Sequence, residues 1–342
     1  MERIEYGLAV RDQPANLERA HHSVSQALAG ATIEPWRPGD TVAVVAMGAS
    51  SHSAHALVFA LIASGVRAFP LSASDAVAYA PGSQPADHYV IVSESGRSPE
   101  PLNAAKRFTP GRRIGITNVP NSPLTAAVDV VLPLGDFDDS GVYTVGYTAT
   151  LLAYALLSEH ATGLTAPDPS SVSARVEAAL SDFEAPTALA AERLSTAHTV
   201  DFVGSGMSLA AASEGALMFR EALGVPTAAF DTYQYLHGPM EPLRENSGLV
   251  IFGDSRELSL ADSVLDSGVQ VCLVTQSPLT EVPRPDHENL VVISLPSEVT
   301  SFERAIVEVI VPQLLVGHRA RSLGRRPGEF TYRQPDTKLP LT

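Results

Sequence analysis

The sequence predicts an α/β fold made of two parallel sheets, each covered by helices on both faces. Three observations predict it. Short β-branched runs alternate with longer Ala/Leu-rich stretches, the strand-like runs are apolar almost throughout, and the whole alternation is written twice. A strand apolar on both faces needs cover on both sides, and a chain returning through a helix lays its next strand parallel. Such sheets bind ligands beyond the carboxyl ends of their strands.

The duplication is read directly. TVAVVAMGASSHSA begins at Thr41 and TVDFVGSGMSLAAA at Thr199. Thr41, Val42, Val45, Gly48, Ser50 and Ala54 recur as Thr199, Val200, Val203, Gly206, Ser208 and Ala212, an offset of 199 − 41 = 158 positions. YVIVSESGRS from Tyr89 parallels LVIFGDSRE from Leu249, and both halves then carry the tetrapeptide SPLT. At 342 residues the chain accommodates two domains of about 150 residues each.

In order, the first ~30 residues read as a leading helix with Asp12-Gln13-Pro14 at its start. Val42–Ala46, Tyr89–Val92, Arg113–Thr117 and Val130–Pro133 read as strands of the first half, with helical stretches between them. TAPDPSSVSARVEAALSDFEA, from Thr165, starts as a polar linker and runs into a helix. The second half repeats the pattern and closes on NLVVISLP, ending at Pro296. The Pro-rich polar tail after Gly324 reads as non-helical.

Composition narrows the function classes. The net charge of −15 argues against nucleic acid, which requires clustered Lys and Arg. A single phosphate is still within reach of a helix N-terminus lined by hydroxyls. No run reaches the ~18 apolar residues of a membrane helix, so no membrane partner is expected. The charged N-terminus reads as having no signal peptide, and the lone Cys272 excludes internal disulfides, which together give a cytoplasmic expectation. P-loop, GxGxxG and GxSxG patterns are absent. His21, His22, His52 and His55 lack carboxylates at ligand spacing and read as structural, so neither a metal nor another cofactor is expected.

Two constellations carry chemistry. Ser93-Glu94-Ser95-Gly96-Arg97-Ser98 directly follows a strand and precedes a helix, so hydroxyls and backbone N–H groups converge on one anion. Ser50 and Ser51, at the end of the first strand, face the same crevice. A Ser-rich helix-capping turn would carry the same residues. The matching turn of the second half holds Asp254, whose charge repels phosphate, so one anion site is expected, in the first half. The second constellation, Ser213 to Leu243, puts Glu214 and Glu221 on one helical face and His237 in a His-Gly-Pro turn. A Glu and a His brought together exchange protons near neutral pH. A solvated helix face and a turn-capping His fit the same residues. Phe230, Tyr233 and Tyr235 read as packing, and the basic run from His318 to Arg326 as a solvated helix end.

VAMGASS, VSESGRSPEPL and EGALMFREAL…LHGP resemble the corresponding segments of the sugar isomerase (SIS) domain family, with order and spacing shared over nearly the whole chain. The pattern is most similar to the isomerase portion of glucosamine-6-phosphate synthase, whose relatives include SIS-type glucosamine-6-phosphate deaminases and fructosamine-6-phosphate deglycases. The resemblance implies two tandem flavodoxin-like SIS domains, at 31–165 and 191–320, behind a helical lead at 1–30. It places a linker helix at 166–190 and a tail at 321–342 over the active site. It implies a phosphorylated sugar substrate held by Ser50, Ser51, Ser93, Ser95, Gly96 and Ser98. Glu221 would shuttle a proton between C1 and C2, and His237 would open the ring across the interface of a homodimer with composite active sites. Three departures stand out. Met218 replaces a Lys; Lys338 in Gln334-Pro335-Asp336-Thr337-Lys338, a candidate catalytic residue matched to the synthases' Schiff-base lysine, lies two residues closer to the proline; and no glutaminase segment is present, while Glu94 stands where the synthase motif has a Gln. The absence of a glutaminase segment removes glutamine-dependent synthesis from the expectation. The resemblance thus implies an amino-sugar-phosphate deaminase and isomerase. The alternatives are a fructosamine-6-phosphate deglycase, an aldose–ketose isomerase without deamination, and a non-catalytic sugar-phosphate sensor.

Overall fold

The computed structural model describes residues 3–163, 169–332, 334 and 336–339. Among the described residues, ten strands form two separate five-stranded sheets. The first contains β1 (Thr41–Ala46), β2 (Arg67–Ser72), β3 (His88–Val92), β4 (Arg113–Thr117) and β5 (Val130–Pro133); the second contains β6 (Thr199–Gly204), β7 (Thr227–Phe230), β8 (Ser247–Phe252), β9 (Gln270–Thr275) and β10 (Leu290–Ser294). Their orders, β2-β1-β3-β4-β5 and β10-β9-β8-β6-β7, are one topology repeated, and every pairing within them is parallel. This is the flavodoxin-like order, so each sheet has its crevice where the chain reverses direction, at β1/β3 and β6/β8.

Each strand expected in the first half is present within a residue of its predicted bounds. The edge strands β2 and β7 were missed. RAFPLS contains Pro70, which lacks an N–H and is tolerated because β2 pairs only with β1. TAAF has only four residues and little β-branching, so periodicity gives no signal.

Alternate strand residues serve different cores. Val42, Val44 and Ala46 face a cluster shared with Phe202, Val250 and Cys272 of the second sheet, whereas Ala43 and Val45 face a cluster private to the first half. The shared cluster is filled by the helices Gly48–Ala63, Val145–Thr162, Ser208–Met218 and Ser301–Leu323, which pack on one another between the sheets. One apolar layer therefore fixes the first half against the second. The stretch expected as a linker helix comprises two helices, Pro169–Asp182 and Glu184–Arg193, packed on Gln13–Gly30 and Ser301–Leu323. The Thr165 end of that linker and Pro335 of the tail motif lie outside the described residues. Among the described residues, no helix is long and apolar enough to cross a membrane.

Candidate active site

The carboxyl ends of β1 and β3 open into a cavity of about 640 Å³. After β1 the chain turns at Gly48, with φ +55, and enters the Gly48–Ala63 helix, whose first turn carries Ser50. Ser50 and Ser51 are therefore helical residues rather than strand ends; Ser50 lines the cavity and Ser51 does not. After β3 the SESGRS turn runs into the Pro99–Ala105 helix, with Ser98 at its N-cap making no side-chain cap bond. Ser93 and Ser98 line the cavity. The buried Ser93 hydroxyl has no hydrogen-bond partner, which leaves it free for a ligand. Gly96 supports the turn from behind. Its φ is +59, and a Cβ there would meet Ser122 Oγ at 1.9 Å, so only glycine fits.

Lys338 enters this cradle from the far end of the chain. Its Nζ donates to Ser95 Oγ at 3.0 Å and Ser98 Oγ at 3.1 Å, and Leu339 N donates to Arg97 O at 2.9 Å. Ser95 thus reaches the cavity through Lys338 rather than as a lining residue. Burial lowers the Lys338 amine below the ordinary lysine range, opposed by the Glu94 charge.

Glu94 forms the floor. It is 5% exposed; its Oε1 accepts from Asn118 Nδ2 at 3.1 Å, and its Oε2 is buried without a partner. Burial, and then the neighbouring Asp139, push its carboxyl up to about 7. Asp139 is wholly buried and organises the loop above, accepting from Thr144 Oγ1 at 2.6 Å and Gly146 N at 2.8 Å.

The second half supplies the opposite wall. Ser208–Met218 is an α-helix that widens into a π-turn at Phe219–Leu223, and Glu221 sits on that turn. Single π-turns are uncommon and concentrate at functional sites. Glu214 and Glu221 both line the cavity. Enclosure in protein, and then the Glu214 charge, push the Glu221 carboxyl up to about 7, opposed by His52. Glu221 also opens onto the cavity, so solvent tempers this push until a ligand covers it.

The reading of His52 is corrected: it is not a lone structural histidine, because its Nδ1 lies 3.2 Å from Glu214 Oε2 across the boundary between the halves. His237, expected to act across the interface of a homodimer, is exposed on the turn after β7 and lies outside the cavity lining. Tyr233 is corrected too, being 58% exposed, whereas Tyr235 is buried and donates to Asp201 Oδ2 at 2.9 Å.

The matching position in the second half is filled. Asp254 pairs with Arg304 and accepts from Gln276 N at 2.7 Å and Thr275 Oγ1 at 2.9 Å. Arg304 Nε lies 2.7 Å from Glu308 Oε1, which also accepts from Ser208, the counterpart of Ser50, at 2.9 Å. Asp254 thus carries a partner charge. An internal ion network, rather than bare repulsion, occupies the second cradle. Among the described residues, no group of three or more His, Cys, Asp or Glu is placed to hold a metal ion.

Comparison with known proteins agrees with this architecture. Residues 193–320 match the family model of the SIS domain. A glutamine–fructose-6-phosphate aminotransferase (isomerizing) from Thermus thermophilus is 30% identical over 256 residues, covering 69% of this chain and 41% of that protein. This chain thus spans about two-fifths of the curated relatives it matches. The C-terminal domain of glucosamine-fructose-6-phosphate aminotransferase from Francisella tularensis superposes with a TM-score of 0.80 at 20% identity, over 94% of this chain and 97% of that one. Glucosamine-6-phosphate deaminase from Thermotoga maritima superposes with a TM-score of 0.76 at 19% identity, over 96% and 98%.

Proposed function

We propose that this chain, whose residues 193–320 belong to the SIS domain family, is a phosphosugar enzyme that isomerises and deaminates an amino-sugar phosphate. One observation carries the reading. A cradle of hydroxyls and the Lys338 amine shares a single cavity with Glu221, whose carboxyl burial and the Glu214 charge raise. Ser50, Ser93 and Ser98, with the Lys338 ammonium, are the donors offered to the phosphate. They anchor one end of an extended sugar and present its other end to the opposite wall.

In the reading, Glu221 removes the proton from C2 of the open-chain amino aldose and returns it to C1. The resulting C2 imine takes up water and releases ammonia, leaving the ketose phosphate. A base that titrates near the working pH suits both halves of this transfer. His237 is exposed on its own chain, and its assignment to ring opening requires delivery by a second copy; a homodimer is part of the proposal.

Incubating the protein with hexose, hexosamine and fructosamine 6-phosphates, while recording ammonia and sugar products, separates deamination, deglycation and plain isomerisation. Ammonia released with a ketose phosphate from a hexosamine 6-phosphate supports the reading. Binding of every member with turnover of none would leave a sensor instead.

A further inference from the structure

A second cavity, of about 620 Å³, lies where the two ends of the chain meet. Its walls are the N-terminal segment from Arg3 to Arg11, the last turns of Ser301–Leu323, and the loop that follows that helix. Five arginines line it: Arg3, Arg11, Arg321, Arg325 and Arg326. The lining carboxylates are Glu5 and Glu329, so the wall carries 5 − 2 = +3 on a chain whose net charge is −15.

Local structure accounts for part of this charge. Arg321 lies 3.8 Å from Glu184 and complements the helix C-terminus, and Arg326 lies 3.7 Å from Glu329. Glu5 is committed to the backbone, accepting from Gly7 N at 2.9 Å and Leu8 N at 2.8 Å. Among the described residues, no carboxylate stands within 4 Å of the Arg3, Arg11 or Arg325 guanidinium groups. Arg11 and Arg321 act on Glu5, but five lining guanidinium groups against two lining carboxylates leave a surplus of positive charge on this concave surface, which a bound anion relieves.

The cavity is also shaped for close approach. Gly7, Gly141 and Gly328 leave parts of its wall without side chains. Gly141 and Gly328 sit so close that a Cβ on either would lie 2.6–2.8 Å from the other's Cα. The arginine-bearing loop is thereby held against the body of the chain, so its guanidinium groups are positioned before a ligand arrives. Planar guanidinium groups match the oxygens of phosphate and carboxylate groups in pairs.

We infer that this cavity is a second anion site, distinct from the hydroxyl cradle, that takes a small multiply charged oxyanion such as a diphosphate group. Arg3 and Gly141 line both cavities, so the two sites share a wall. The loop that carries Arg325 and Arg326 continues to Lys338 in the first cradle.

Calorimetry with inorganic pyrophosphate tests the assignment on the full chain and on two sets of variants. Arg11→Gln combined with Arg325→Gln removes charge from this cavity alone, and Lys338→Ala removes it from the hydroxyl cradle. The expected result is an affinity loss of about tenfold or more in the arginine pair and less than about twofold in Lys338→Ala. Should the pair melt early, the exposed single changes Arg11→Gln and Arg326→Gln carry the same test. The reverse pattern would place the anion in the hydroxyl cradle and overturn the inference. So would the absence of pyrophosphate binding to the unmodified chain, which would leave the arginines to a macromolecular partner.

Discussion

His52 Nδ1 stands 3.2 Å from Glu214 Oε2, joining the first helix of one half to the first helix of the other directly beside Glu221. The pair links the ligand cradle to the proton-transferring group. Glu214 is 2% exposed and burial raises its carboxyl, while His52 favours its ionised form. An ionised Glu214 in turn raises Glu221. His52 is therefore a positioning residue that acts through Glu214.

Replacing Glu214 with Gln removes the like charge beside Glu221 and lowers the Glu221 pKa. A base works above its pKa, so the acidic limb of the pH–rate profile moves to lower pH. The acidic limb of Glu214→Gln, measured against the unmodified protein, checks this influence; an unmoved limb, or one moved to higher pH, would contradict it.

Glu94 makes stability depend on pH. Its folded value of about 7 lies above the ordinary carboxylate range, so its favourable contribution is complete below pH 4 and is lost as pH rises through 7. Glu94→Gln should therefore raise the melting temperature at pH 8 and change it little at pH 5. The gain at pH 8 is on the order of 2–3 kcal/mol. Melting curves at the two pH values provide the check.

Lys338→Met removes the ammonium that Ser95 and Ser98 hold in the cradle. Loss of a charge-assisted contact to phosphate is expected to weaken binding of a sugar phosphate by about tenfold, with the fold intact. Calorimetry with the phosphorylated sugar and its unphosphorylated counterpart isolates the effect, since the counterpart should bind both proteins equally.

Gly96→Ala forces a side chain into φ +59 and against Ser122. The backbone strain alone costs about 1–3 kcal/mol. Adding Ser122→Gly relieves the closest collision but neither the strain nor the contact with Thr117 Oγ1 at 2.8 Å, so it should recover only part of the loss on chemical denaturation.

The fold was legible because its signal is local and repeated. Val42–Ala46 is apolar on both faces, and its copy Thr199–Gly204 departs from that inside the strand only at Asp201, a pattern that a doubly covered parallel sheet satisfies. The strand-to-helix position of SESGRS was legible for the same reason. His52 was not, because its partner lies 162 positions away, and pairings across a shared core leave no periodicity. The Asp254 turn misled in its cause. Its charge was visible in sequence, but Arg304, 50 positions on, was not visible as its partner. Edge strand β2 was hidden by Pro70, which a central strand would not tolerate.

The central claim is that Glu221 moves a proton between adjacent carbons of a phosphosugar bound by the first half. Turnover of a hexosamine 6-phosphate in deuterated water, followed by NMR of the ketose product, tests it directly. With the unmodified protein, the C2 proton is expected at C1, together with solvent deuterium to the extent that the proton exchanges while held on Glu221. A rate loss of about 10²-fold or more is expected in Glu221→Gln, with sugar-phosphate binding retained. Undiminished turnover and labelling in Glu221→Gln would contradict it.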